Sequence, residues 1–298
     1  MKRKSKILAA AIGLLAFSTA ASITGTVAWF TASNVVSAEG IYVMAEKEDG
    51  IVMANEDFDS WSTAVQASHD GTIGSPAAQA GFIPTSTKDA STWAHASAVQ
   101  ADDELAVESS YALVTPTLNG SDTGIYKASI NNVDKNIYLL NTFYLKSAST
   151  DPISGNLYSY VKAEVVGTSV SVELNKALRV LVKYGSDVNV YAPINGATTS
   201  YSVCTAINSG DNPATTDVTE TSYPTKESVS ALTGATTNLL KSNVTIPANN
   251  PDSVNVNTFP VNVYCYFEGE DAACFSNNIK ATLDQLSITV KLGTSSTL

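Results

Sequence analysis

The chain has 298 residues, 28 acidic against 17 basic side chains and a formal charge of −11. A chain this acidic repels phosphates, and with no Lys/Arg cluster beyond its first six residues to release counterions, nucleic acid is excluded as a partner. Only 15% of residues are charged, which suits a soluble surface kept apart from its neighbours by like charge. Three cysteines are too few for a disulfide-rich scaffold.

In chain order, the first feature is an export signal. Lys2, Arg3, Lys4 and Lys6 form a charged head, and Ile7 to Phe30 carries no charge. The strongly apolar part, Ile7 to Phe17, is shorter than the roughly 20 residues of a membrane-spanning helix, so this signal helix is expected to be cleaved by signal peptidase. The best small-x-small site is Thr26-Val27-Ala28, which leaves Trp29 as the new N-terminus; Ala20 and Ala21 offer earlier cuts. The competing expectation is an uncleaved anchor over Ile7–Phe30. The protein is thus expected to be secreted or at the cell surface, tethered to the membrane if the signal is retained. Cleavage removes four cations and no acid, moving the formal charge from −11 to −15.

The remainder, residues 29–298, is expected to form one all-β domain. Ile41–Ala45 is an apolar strand, and residues 48–125 are rich in Ala, Ser, Thr, Asp and Gly with weak periodicity. Asn136–Lys146 reads as a strand with Ile137, Leu139, Phe143 and Leu145 on one face and Asn141 interrupting. Strands follow at Leu157–Val166, Val170–Leu174, Leu178–Tyr184 and Val188–Tyr191, broken by Gly167, Gly185-Ser-Asp187 and Pro193, which is the rhythm of an antiparallel sandwich or barrel. Thr198–Pro247 is polar and reads as a loop excursion, so insert-like regions are placed near 48–125 and 198–247. Pro260–Phe267 sets Val261, Val263, Cys265 and Phe267 against Asn262, Tyr264 and Tyr266, and Leu286–Leu292 alternates again. Asp89–Ala98 and Ser228–Leu240 are the only short helix candidates.

Motifs for chemistry are missing. His69 and His95 are far apart and lack an H-E-x-x-H context, and no G-x-S-x-G elbow or phosphate-cradling Gly loop occurs, so neither an enzyme nor a cofactor is expected. Glu56-Asp57-Phe58-Asp59 and Glu268-Gly269-Glu270-Asp271 supply carboxylates for a hard cation. Neither follows a calcium-loop pattern, which leaves Glu268, Glu270 and Asp271 as weak metal candidates beside the simpler reading of solvated turn acids. Cys265 and Cys274 are the nearest cysteine pair; a bridge between them and free, partly buried thiols are both open. Tyr126, Tyr138, Tyr144, Tyr158, Tyr160, Tyr264 and Tyr266 offer either sugar-stacking surfaces or cross-strand packing.

Gly25-Thr-Val-Ala-Trp-Phe-Thr-Ala-Ser33, followed by Asn34–Gly40 and the strand Ile41–Ala45, resembles the start of the TasA/camelysin family of exported Gram-positive matrix and cell-surface proteins. Val263–Asp271 with Cys274, leading into Leu283–Leu292, is similar to the close of related exported proteins. The two stretches cover about 45 residues, and residues 48–125 and 198–247 match nothing in the family. The resemblance implies cleavage after Ala28, a jelly-roll-like β-sandwich and, for the matrix members, fibres built by self-association or with other matrix or surface proteins. Camelysin's description as a metalloprotease transfers poorly without the H-E-x-x-H pattern. The leading functional expectation is a structural protein of the cell surface or extracellular biofilm matrix. In it, Trp29, Phe30, Ile41 and Val43 form an assembly arm that adds to a neighbour's sheet. The alternative for Ile41–Ala45 is the first strand of its own domain. Two further functions are a binding module for surface glycan or a host ligand, its recognition surface built from the two excursions, and a secreted metal-dependent protease.

Overall fold

The computed structural model describes residues 37–38, 41–47, 50–55, 61–62, 64–66, 82–83, 85–87, 89–96, 111–120, 124–130, 132–166, 178–193, 201–203, 237–249, 259–268, 282–283 and 285–296, all within one compact unit, Val35–Leu298. These residues are all-β, with mostly antiparallel sheets and no helix. In chain order the strands are β1 (Ser37–Ala38), β2 (Ile41–Lys47), β3 (Ile51–Ala54), β4 (Ala64–Gln66), β5 (Trp93–Ala96), β6 (Tyr111–Val114), β7 (Thr117–Leu118) and β8 (Ile125–Ile130). Then come β9 (Val133–Ser147), β10 (Ile153–Val166), β11 (Leu178–Tyr184), β12 (Asp187–Pro193), β13 (Tyr201–Val203), β14 (Leu239–Ile246), β15 (Phe259–Phe267), β16 (Thr282–Leu283) and β17 (Gln285–Gly293).

A five-stranded sheet runs β14-β10-β17-β2-β4, and a larger one runs β13-β12-β11-β15-β9-β8-β7 with β3 also on β9. Two-residue alternation builds the core between them. From β15, Val261, Val263, Cys265 and Phe267 point into one apolar cluster with Leu139, Phe143 and Leu145 of β9 and Val180 and Val182 of β11. Leu157, Val161, Val244, Ile288, Val290 and Leu292 of the smaller sheet complete that cluster. Burying each such side chain contributes roughly 1.5–3 kcal/mol.

The chain crosses between the sheets twice in one corner. Gly50, at φ +90°, turns it from β2 into β3 in a conformation that L side chains rarely adopt. Residues 148–152 carry it from β9 to β10, pinned where Ala148 N–H donates to Gly50 O (2.6 Å) and Asn249 N–H donates to Ser149 O (2.9 Å). Elsewhere the sheets are joined by polar groups. Tyr191 O–H donates to the Ser159 carbonyl, Asn189 Nδ2 donates to the carbonyls of Asn238 and Leu239 (both 3.3 Å), and Lys241 Nζ meets Asp187 Oδ2 at 2.7 Å.

The opposite face of the larger sheet is also covered. Trp93 of the antiparallel β5–β6 pair lies on Tyr138, Tyr264 and Tyr266, joined by Ile83, Ile137, Leu181 and Val190. Ile137 belongs to this face, not with Leu139 as alternation predicts. A bulge opposite Tyr126/Lys127 inserts one extra residue into β9, so Ile137 and Tyr138 both point the same way.

In the helix candidate Asp89–Ala98, the described residues 89–96 are not helical. Asp89 Oδ1 accepts from the N–H groups of Ser91 (2.8 Å) and Thr92 (3.0 Å), Ala90 takes φ +56°, and β5 begins at Trp93. In Ser228–Leu240 the last two residues already belong to β14, while residues 228–236 lie outside the described set. β14 comes from the stretch read as a polar excursion; its burial alternates only weakly because it is an edge strand with Ser242, Asn243 and Thr245 exposed. The expected strand Val170–Leu174 lies outside the described residues.

Candidate functional site

The N-terminal strand occupies an unusual place. β2 pairs in parallel with β17, Ile41 opposite Leu286 through Leu292 opposite Lys47, and β1 pairs with β16 in the same register, Ser37 opposite Thr282. β2, the second described strand, therefore lies inside the five-stranded sheet, against the last strand. Parallel pairing needs no hairpin, and here the two partners are separated by nearly the whole chain. On its far edge, β2 is paired by the three-residue β4 at Met44–Glu46. On the other side, β17 is held along its length by antiparallel β10, from Tyr158–Gly293 to Val166–Gln285. Ile288, Val290 and Leu292 point into the core, with Lys291 exposed on the other face. The result is a slot, floored by β17, in which a strand is held by backbone hydrogen bonds.

Of the predicted arm, Ile41 and Val43 lie in this slot, opposite Leu286 and Ile288 of their own chain. Trp29 and Phe30, the cleavage residue Ala28 and the whole signal segment lie outside the described residues.

Cys265 is a free thiol, fully buried in the inter-sheet core, and its burial pushes its pKa up to about 12. It sits opposite Leu139 on β9 and Val180 on β11. Cys274 lies outside the described residues.

Of the acidic candidates, Glu268 is not a solvated turn acid. It is fully buried at the end of β15, where the Ser86 hydroxyl donates to Oε1 and Thr85 pairs with it across an isolated bridge. The segment around Ser86 is itself anchored, with Ile83 N–H donating to Asn136 O (2.8 Å) and Thr85 N–H to Phe267 O (2.9 Å). Glu270, Asp271 and Glu56–Asp59 lie outside the described residues, as does His69. His95 is buried on β5. Among the described residues no three His, Cys, Asp or Glu side chains gather as a metal-holding group.

The tyrosines divide. Tyr138, Tyr264 and Tyr266 are buried beneath Trp93, the Trp93 and Tyr138 rings stacked with centroids 4.3 Å apart. Burial raises the Tyr138 pKa, with the neighbouring Tyr264 and Tyr126 adding to it. These three rings pack across strands and present no face to a sugar. Tyr126, Tyr144, Tyr158 and Tyr160 are partly exposed.

Residue patterns alone missed two features. The pairing of β2 with β17 joins residues too far apart for any local signal. The cap of residues 82–96 had one usable cue: Trp93-Ala94-His95-Ala96 alternates large and small side chains. Searches of protein-family models, of curated proteins and of solved structures found no match to this chain.

Proposed function

We propose that the protein is an exported structural component of the cell surface or extracellular matrix, not an enzyme, and that it assembles by exchanging its N-terminal strand between copies. Its two sheets would form a jelly-roll-like β-sandwich, a reading supported by the single apolar cluster to which both contribute. One observation carries the assembly reading: β2, close to the N-terminal end of the described residues, lies in parallel in a slot beside the C-terminal strand β17, with a three-residue partner on its other edge. A strand so held is bonded chiefly through its backbone. The same bonds are available from the corresponding strand of a second copy, and edge-to-edge strand addition is a general mode of association.

Signal cleavage after Ala28 would free Trp29 and Phe30 to lead the strand into a neighbour, with Ile41 and Val43 opposite that neighbour's Leu286 and Ile288. The signal segment and the acidity of the remaining chain support secretion or surface display. The partners are further copies or other matrix and surface proteins.

Electron microscopy of the mature protein with and without residues 29–38 tests the mechanism. Polymers are expected from the longer form and short or no polymers from the truncated one. Equal polymerisation by both would sink the arm. A synthetic peptide of residues 37–47 added in excess is expected to cap growing ends and shorten the fibres.

A further inference from the structure

The β9–β10 connection holds the chain's single Asp-Pro sequence, Asp151-Pro152, and both residues are exposed. Ser149 Oγ donates to Asp151 O (3.2 Å), the carbonyl of the Asp151–Pro152 peptide, and accepts from Asp151 N–H (3.3 Å). Ser147 Oγ lies 3.0 Å from Ser149 Oγ and accepts from Ser149 N–H (3.1 Å), which fixes the hydroxyl in place. The backbone behind it is fixed as well, by Ser147 N–H donating to Pro247 O (2.7 Å) and Asn249 N–H donating to Ser149 O.

From this geometry we infer that residues 147–152 form a self-scission site, at which the fold promotes hydrolysis of its own Asp151–Pro152 peptide bond. An oxygen of the Asp151 side-chain carboxyl attacks the Asp151 main-chain carbonyl carbon, forming a five-membered cyclic anhydride. The C–N bond to Pro152 breaks, and the ring nitrogen takes the proton that the carboxyl gives up and leaves as a secondary amine. One water then opens the anhydride, restoring the side-chain carboxyl and giving Asp151 a terminal carboxylate. The balance is one water consumed, with no oxidant or metal. Because the carboxyl proton is used, mild acid promotes the step. The Ser149 hydroxyl is already aimed at the oxygen on which negative charge develops, so it stabilises the tetrahedral intermediate.

Scission here would not release a fragment. The part ending at Asp151 supplies β2 and β4 to one sheet and β3, β7, β8 and β9 to the other; the part starting at Pro152 supplies β10, β14 and β17 to the first and β11, β12, β13 and β15 to the second. The two parts remain interleaved through the β2–β17 and β9–β15 pairings.

The test is to incubate the folded chain, and the same chain in urea, at about pH 4, following the products by denaturing gel, intact mass and N-terminal sequencing. Circular dichroism verifies that each variant is folded. The folded wild type is expected to yield a new N-terminus at Pro152 roughly fivefold faster than the unfolded chain, about the worth of one neutral hydrogen bond. It is expected to elute as a single species before denaturation. Ser149→Ala is expected to lose that advantage in the folded state and be unchanged in urea, Ser149→Thr to keep it, and Asp151→Ala to stop the cut. Equal rates for folded and unfolded wild type, an unaffected Ser149→Ala, or no cut at Pro152 would each overturn the inference.

Discussion

The two faces of the larger sheet are built from the same strands and by different means. Toward the smaller sheet, β15 sends Val261, Val263, Cys265 and Phe267 into a core of aliphatic side chains, Phe residues and a thiol drawn from both sheets. On the opposite face, the same strand sends Tyr264 and Tyr266 under a cap made from the paired strands β5 and β6 and the segment before them, where aromatic rings, Ser86 and Glu268 are buried together. The first core is held by shape and loses all of its cover only if the sheets part. The second is held by one tryptophan and a few directed hydrogen bonds, such as Tyr266 O–H to Thr87 O at 3.2 Å, and can open while the first stays shut.

The largest test of this difference is alkaline. Burial keeps Cys265 and Tyr191 neutral in the inner core and Tyr138 in the outer one, all with raised pKa values. An acid raised on folding contributes its full stability below the unfolded pKa and loses it as pH rises through the folded one. The denaturant midpoint is therefore expected to hold until about pH 9 and then fall toward pH 12, at about 1.4 kcal/mol per pH unit for each group released. Tyr138→Phe should flatten only the part of the outer core's share that is its own, Tyr264 beside it being raised by burial as well. A midpoint constant to pH 12 would show that these groups are not buried.

Phe143→Ala comes next, at about 3–5 kcal/mol, because it empties a site shared by both sheets. Hydrogen exchange should then quicken in both sheets together. Trp93→Ala removes an even larger buried side chain, yet its effect should be confined. Exchange is expected to quicken in β5 and β6, with protection in β9 and β15 kept and a global loss of roughly 2–3 kcal/mol. Uniform loss of protection would merge the two cores into one. At the small end, Asp134→Asn breaks an exposed 2.7 Å pair with Lys127 and should shift stability by no more than about 0.5 kcal/mol.

The inner core was legible in the sequence because it is written in alternation. Leu178–Tyr184 and Pro260–Phe267 read as strands, and the structure places them at Leu178–Tyr184 and Phe259–Phe267. The outer core was not legible, since alternation shows that Tyr264 and Tyr266 share a face but not what lies over it. Their cover comes from residues whose turn, with Ala90 at φ +56°, is closed locally by Asp89 and tied to the sheet by Lys183 Nζ donating to Asp89 O at 2.7 Å. Glu268 misled for the same reason, because an acid after a strand reads as solvated until Ser86 arrives from 182 residues away. Ile137 was displaced by a bulge that only the pairing with β8 reveals. For the slot, Ile41–Ala45 was readable as a strand, but its partner was not.

The place of β2 also sets a clock. A chain that emerges N-terminus first presents Ile41–Lys47 long before Gln285–Gly293 exists, and these strands pair only with most of the sequence between them. The smaller sheet therefore cannot close until the last strand has been made, and through that interval β2 of every nascent copy lacks its β17 partner. Crowding among nascent copies, and the speed at which each one finishes, would then decide whether that strand is claimed by its own chain or by the one beside it.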